Sequence, residues 1–239
     1  MVAVACRRRR LTVMMGAALT LVTGAVLLQP GMAACAVMDA LPLQRLPDGS
    51  LADGALTLAE RRAAVADHAA ARHRIARTFG PPRAGPVLVQ LSQPDALWPF
   101  FYNSFGSTDF LPGRTCIVIG PEGRNVDVLA HELMHAELAA RVGFWRRRTQ
   151  IPVWFDEGVG MQVDTRSAFD RPHGPGAADI RQKVAARDFF AVPPDELTEH
   201  YALAKREVGR WLDRKGRATL YSRLSAIGRG EPFETVWAR

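Results

Sequence analysis

Residues 128–136 read Val-Leu-Ala-His-Glu-Leu-Met-His-Ala, a stretch that contains the pattern His-Glu-x-x-His. In an α-helix, residues four positions apart lie on one face, so His131 and His135 would direct two imidazole rings at one point. Two nitrogen donors placed in this way suit a zinc ion. Glu132 follows the first histidine and could reach a water molecule beside the metal, as a general base. The alternative is a core helix whose histidines only hydrogen-bond nearby carbonyl groups.

The flanking residues predict where this helix begins and ends. Asn125 is a favourable N-cap, Asp127 suits the first turn, and Gly143 stands where a C-cap belongs. The apolar residues that would bury the helix are Val128, Leu129, Leu133, Met134, Leu138 and Val142. The sequence therefore predicts two histidines and a glutamate on a largely buried helix.

A catalytic zinc usually has three protein ligands, and Glu157 is the best candidate for the third. It lies in a second predicted helix, opened by Pro152 at the first helical position, one short loop after the first helix. Asp156 is its neighbour but would point about 100° away around the helix. The alternative is that Glu157 only stabilises the first turn of its own helix.

The segments His-Glu-Leu-Met-His at 131–135 and Pro-Val-Trp-Phe-Asp-Glu-Gly at 152–158 resemble the gluzincin metallopeptidases, especially their small single-domain, minigluzincin-like members. That family combines HExxH with a second helix that carries the pattern W-x-x-E-G. The resemblance covers roughly residues 85–238. It implies an α+β, zincin-like metallopeptidase domain with a small mixed sheet, an HExxH active-site helix and a helical C-terminal part.

The resemblance also implies a role for each site residue. Zinc would be bound by the two histidines and Glu157, with Glu132 as general base. Tyr201 would stabilise the oxyanion that forms during hydrolysis, with its neighbour His200 in reserve; the alternatives are that Tyr201 only packs within its helix and that His200 lies at the surface. The chain departs from the family at Gly160, where alanine is usual, and in a somewhat longer segment between the two motifs.

These residues favour hydrolysis of peptide bonds in a peptide or protein substrate, assisted by zinc. An exposed strand near Gly106–Phe110 could pair with an extended substrate, although an ordinary hairpin fits the same residues. A function of a different class remains as an alternative: a non-catalytic exported zinc-fold protein that binds peptides or envelope partners. The intact Glu132 favours the enzyme, because metal binding alone requires no carboxylate there.

The first 34 residues have the order of charged, apolar and small residues that is typical of an export signal. Arg7–Arg10 precede the uncharged apolar run Leu11–Leu28. We predict that residues 1–34 are a signal peptide or an N-terminal membrane anchor and that 35–239 form a single domain. Either alternative exports the body of the protein, which would then be periplasmic, membrane-anchored or secreted.

Charge and cysteine content bear on the partners. Residues 1–34 contain four arginines and no acidic residue, so the net charge of +7 falls to +3 without them. Such a small surplus does not favour a nucleic-acid partner, and Arg146–Arg148 is predicted to lie in a solvated loop. Membrane association has two routes, through residues 11–28 or through a lipidated Cys35. Otherwise Cys35 and Cys116 would form a disulfide in an oxidising compartment.

Periodicity and turn residues predict the other elements. Thr57 and Glu60 form a capping box at the start of a helix that runs to about residue 79. Buried strands are expected at Val87–Leu91 and Thr115–Ile119. Further helices are expected at 177–187, 198–214, 217–227 and 232–238. A mixed region followed by helices is typical of the α+β class.

Overall fold

The protein consists of nine described helices and five described strands, in a computed structural model that describes residues 29–97, 104–170 and 179–239. The helices are α1 (Pro30–Val37), α2 (Leu58–Phe79), α3 (Val126–Val142), α4 (Phe144–Gln150), α5 (Val153–Gly160), α6 (Ala186–Phe190), α7 (Pro194–Lys215), α8 (Leu220–Gly228) and α9 (Phe233–Ala238). The strands are β1 (Gln44–Arg45), β2 (Leu51–Ala52), β3 (Val87–Gln90), β4 (Gly106–Leu111) and β5 (Arg114–Ile119). The architecture is α+β with a small sheet, as predicted.

The strands form one mixed sheet in the order β1-β2-β3-β5-β4. The two central pairings, β2 with β3 and β3 with β5, are parallel, whereas β1 with β2 and β4 with β5 are antiparallel. The two predicted buried strands are β3 and β5, each within one residue of its expected bounds. The strand expected near Gly106–Phe110 is β4, which lies at one edge of the sheet.

Side chains alternate between the two faces of the sheet, because successive residues of a strand point in opposite directions. On β5, Ile117 and Ile119 join the large core around α3, whereas Cys116 and Val118 join a smaller core around α1. Helix α3 therefore packs on one face of the sheet and α1 packs on the other. This arrangement buries α3, the helix with the His-Glu-x-x-His pattern, between the sheet and the C-terminal helices.

Helix α1 extends across the predicted start of the domain. Ala34 and Cys35 are fully buried, and Cys35 forms a disulfide with Cys116 of β5. The predicted boundary between the N-terminal segment and the domain, at residues 34 and 35, thus falls inside α1. Because the sulfur of Cys35 forms the disulfide, it is not free to carry a lipid. Residues 1–28 lie outside the described residues, so the signal or anchor stays a prediction. Within the described ranges, no helix has the length and apolarity needed to cross a bilayer.

Three helix boundaries differ from their expected positions. Pro152 is the N-cap of α5 and not its first residue. In place of the helix expected at 177–187, the chain forms a 3-10 turn at Ile180–Gln182 and then α6, while residues 177 and 178 lie outside the described ranges. Helix α7 begins four residues earlier than expected, at Pro194, because proline fits the first turn, where no backbone donor is required.

Candidate metal centre

Helix α3 holds both histidines of the pattern in the protein interior. It begins as predicted at Asn125, whose side chain accepts a hydrogen bond from the Val128 backbone N–H at 3.0 Å. It ends at Gly143, which has a φ of 87° and donates its N–H to the Ala139 carbonyl. The turns between these caps are buried almost throughout.

Three side-chain atoms converge where α3 meets α5. The Nε2 atoms of His131 and His135 lie 3.0 Å apart, and Glu157 Oε2 lies 3.2 Å from the first and 3.5 Å from the second. All three residues are buried, and their ligand atoms lie within 4.8 Å of one another. This group, predicted from the sequence, could hold a metal ion.

The hydrogen bonds of His135 show that the group suits a cation. Its Nδ1 lies 2.8 Å from Asp156 Oδ1. A carboxylate only accepts hydrogen bonds, so Nδ1 carries a proton and donates it, and Nε2 is the nitrogen available to a metal ion. That nitrogen faces Glu157 Oε2 and the other imidazole. Electron-rich atoms that converge in this way are the donor set of a metal ion.

The electrostatics of the group agree with that conclusion. Burial lowers the pKa of His135, but the carboxylates of Glu157 and Asp156 outweigh it and raise this pKa well above its ordinary value. Burial raises the pKa of Glu157, but the rings of His135 and His131 outweigh it and lower this pKa. Both directions mean that this buried pocket stabilises positive charge beside the Glu157 carboxylate.

Asp156 has a role that the sequence does not reveal. It contacts the Nδ1 atom of His135, across the ring from the Nε2 atom that faces Glu157. Its other oxygen accepts a hydrogen bond from Arg147, whose guanidinium carbon lies 3.6 Å from the centre of the Phe110 ring on β4. The prediction of a solvated loop at Arg146–Arg148 is wrong, because these residues belong to α4 and Arg147 is partly buried.

Glu132, the predicted base, borders a cavity beside the metal group. Thr108 on β4 donates its hydroxyl to Glu132 Oε2 at 2.6 Å and so fixes the carboxylate. The cavity has a volume of about 300 Å³ and is partly open to solvent. Its lining consists of Phe105, Gly106, Val128, His131, Glu132, Arg166, Phe169, Pro194, Leu197, Thr198 and Tyr201.

Tyr201 lines this cavity, whereas His200 does not border it. The Tyr201 ring centre is 6.1 Å from that of His131. Burial and the carboxylates of Glu157 and Glu132 raise the pKa of Tyr201, so its hydroxyl keeps the proton and remains a hydrogen-bond donor. His200 is buried and donates from Nδ1 to the Phe189 carbonyl at 2.8 Å. It is therefore neither a surface residue nor a second candidate for the oxyanion group.

Two glycines allow close packing around the site. A Cβ atom on Gly160 would lie 2.9 Å from both Cε1 and Nδ1 of His131, and one on Gly106 would lie 2.9 Å from Glu132 Oε1. The glycine at position 160 thus leaves room for the imidazole of His131. Thr108, Arg147 and Asp156 carry no sequence signal of this role, because their partners lie on other elements.

No protein-family model matches this chain, and neither a curated protein nor a solved structure matches it significantly.

Proposed function

We propose that this chain is an exported zinc metallopeptidase of the gluzincin type, with a zincin-like fold, that hydrolyses peptide bonds. The observation that carries the proposal is the convergence of His131, His135 and Glu157 beside a cavity shared with Glu132 and Tyr201. A non-catalytic metal site would need the first three residues only. Zinc fits the donor set, since two imidazole nitrogens and one carboxylate are a common catalytic ligand set that leaves a position open.

Glu132 and Tyr201 have different roles in the proposed hydrolysis. When bound, zinc supplies Lewis acidity, which polarises a substrate carbonyl and makes water a stronger acid. Glu132, held by Thr108, accepts the proton of the attacking water and passes it to the leaving amine. Tyr201, which keeps its proton, donates a hydrogen bond to the developing oxyanion.

The substrate would lie along the edge strand of the sheet. Strand β4 runs past the site, with Gly106 lining the cavity and Thr108 bonded to Glu132. Only β5 pairs with β4 in the part of the sheet that the structure describes. An extended peptide could add to the other edge of β4 through main-chain hydrogen bonds.

The decisive experiment measures zinc content and peptidase rate on the same preparations. Wild-type protein should hold about one zinc per chain and cleave members of a mixed peptide library. Glu132→Gln should keep the zinc and lose at least ~10²-fold in rate, because glutamine cannot accept the proton. Tyr201→Phe should also keep the zinc while the rate falls by ~10²-fold or more. His135→Ala and Glu157→Gln should weaken zinc binding as well.

Three results would count against the proposal. Full zinc retention in His135→Ala would reject the ligand set, and normal activity of Glu132→Gln would reject the base. Wild-type protein that holds zinc yet cleaves nothing in a broad library would support the alternative, a non-catalytic zinc-fold protein that binds peptides or envelope partners.

A further inference from the structure

A second cavity, of about 370 Å³, opens near the C-terminal end of α3. Most of its lining is apolar and includes Ala84, Val87, Leu111, Ala136, Ala140 and Phe144. None of these residues takes part in the metal group or lines the cavity beside Glu132. The second cavity is therefore distinct from the one beside Glu132.

Two arginines border this apolar cavity, and further arginines lie on α4 and directly after α8. Arg114 lines it and pairs with Asp39, while Arg83 donates to the Ala140 carbonyl at 2.6 Å. Arg146 donates to the Gly228 carbonyl at 2.8 Å, which places it beside Arg229. We call Arg83, Arg146, Arg148, Arg229 and Trp145 the arginine face. Among the described residues, no carboxylate pairs with any of its four arginines, all of which are exposed.

Trp145 is the exposed aromatic residue of the arginine face. Its side chain is 69% exposed, although it is one of the largest apolar side chains of the protein. It contacts Phe144 edge to face, with ring centres 4.9 Å apart, and α4 has no buried residue. An exposed indole among uncompensated arginines is the combination that binds at the boundary between lipid headgroups and acyl chains.

We propose that the arginine face docks on an anionic phospholipid membrane, with the arginines on lipid phosphates and Trp145 at the headgroup level. The predicted apolar run at residues 11–28 precedes α1 in the chain, and α1 packs against β4. Phe110 on that same strand contacts Arg147 of α4. The arginine face thus adds an electrostatic contact to a single apolar segment, and stable membrane attachment generally needs two such signals. The proposal does not depend on the metal or on peptidase activity.

The test uses the full chain with vesicles of phosphatidylcholine, with and without phosphatidylglycerol, whose brominated acyl chains quench tryptophan fluorescence. Subtracting the signal of Trp145→Phe isolates residue 145 from the other tryptophans. We expect quenching of Trp145 in the anionic vesicles only, and less quenching at high salt. Because the N-terminal segment carries no tryptophan, its own membrane binding does not produce this signal.

Variants identify the charges involved. Arg146→Gln combined with Arg148→Gln should lower the docking equilibrium constant about 25-fold, since each arginine near an anionic surface contributes roughly five-fold. Arg148→Gln alone, at an exposed position of α4, should lower it about five-fold. The matched control is Arg206→Gln with Arg210→Gln, two exposed arginines on α7 that lie outside this face, and it should leave docking unchanged.

Several outcomes would overturn the proposal. Trp145 that stayed unquenched in anionic vesicles would reject docking, and equal quenching without phosphatidylglycerol would indicate apolar insertion only. Equal losses in the α7 control would mean that net charge, and not this face, is responsible. A concentration-dependent change of Trp145 fluorescence without lipid would instead assign the face to a second copy of this chain.

Discussion

His131 and His135 are held in place by different means. His135 donates to Asp156, which is bonded in turn to Arg147. The Nδ1 atom of His131 is buried and has no hydrogen-bond partner in the described part of the chain. Its ring is positioned instead by packing against Gly160. His135 is thus oriented by hydrogen bonds and His131 by close packing.

Gly160→Ala should therefore weaken the metal site without unfolding the protein. The added methyl would lie 2.9 Å from two atoms of the His131 ring, so the ring or α5 must shift. We expect zinc affinity to fall about 10-fold or more, the range seen when the support of a ligand is lost. Competition with a chromophoric chelator measures this affinity, and thermal unfolding monitors the fold.

Gly209→Ala is the matched control for that change. Gly209 also lies in a helix, but its Cβ would meet only the flexible end of Gln162, at 3.3 Å. Its zinc affinity should equal that of the wild type. If Gly160→Ala bound zinc as tightly as Gly209→Ala, the packing role of position 160 would be refuted.

Arg147→Met should weaken zinc binding through Asp156 and His135. The change keeps an apolar side chain over Phe110 but removes the donor to Asp156. We expect about a 10-fold lower zinc affinity, at the low end for outer partners of a ligand. Arg148→Met, the neighbouring exposed residue, serves as the control. Arg147→Lys should restore part of the affinity, because it keeps the charge; no recovery would argue for packing alone.

The sequence contains enough information for the metal ligands but not for their supports. The spacing of His131 and His135 is a property of one helix, and Glu157 lies in a further predicted helix, although the segment between them is α4 and not the expected loop. Helical geometry gives the direction of Asp156 relative to Glu157, but not its contact with His135 on another helix. Thr108 and Arg147 act across elements, and no local pattern indicates such contacts.

At the scale of elements, caps make the long helices predictable. In α2, Thr57 accepts a hydrogen bond from the Glu60 N–H and the Glu60 carboxylate accepts one from the Thr57 N–H, as expected from the capping box. Elements without caps or long periodicity are harder to place. The helix expected at 177–187 is an example, because a short 3-10 turn and a five-residue helix leave little periodicity to read. Pairing in the sheet also joins distant segments, which the sequence does not indicate.

The capping box predicts a pH dependence of stability. Hydrogen bonds from the Thr57 backbone and hydroxyl and from Arg124 lower the pKa of Glu60 to about 2, from an ordinary value of 4.5. Because the pKa is lower in the folded state, the stabilisation is fully present above about pH 4.5 and is lost as the pH falls through about 2. Glu60→Gln should therefore be less stable than the wild type near neutral pH, and the difference should vanish near pH 2.

Denaturant unfolding across this pH range, with metal removed from both proteins, measures the difference. Glu234→Gln is the control, since Glu234 lies in the first turn of α9 without a side-chain hydrogen bond or ion pair in the described structure. The change in unfolding free energy caused by Glu234→Gln should be small and should not show the pH dependence expected for Glu60→Gln. A Glu60→Gln difference that stayed constant down to pH 2 would contradict the assigned cause.

For the molecule as a whole, we expect the disulfide to contribute to the free energy of unfolding but not to zinc affinity. Cys116 faces α1, on the opposite side of the sheet from α3 and its ligands. Cys35→Ser with Cys116→Ser should cost about 2–4 kcal/mol of unfolding free energy, because a link across 81 residues restricts the unfolded chain. Zinc affinity should stay unchanged.

Equilibrium unfolding with and without reductant provides the measurement. Reduction should destabilise the wild type but not the double variant, and Cys6→Ser should behave as the wild type. Equal stability of the oxidised and reduced wild type would exclude a stabilising disulfide. A loss of zinc affinity in the double variant would show that the two faces of the sheet are coupled.

The same link changes the covalent topology of the chain. Residue 35 is connected directly to β5, and β5 is separated from α3 by only a few residues. A protease that cut the backbone once anywhere between residues 36 and 115 would produce two fragments that remain joined through sulfur. The N-terminal segment would then stay attached to the ligand-bearing helix, and only a reductant would release it.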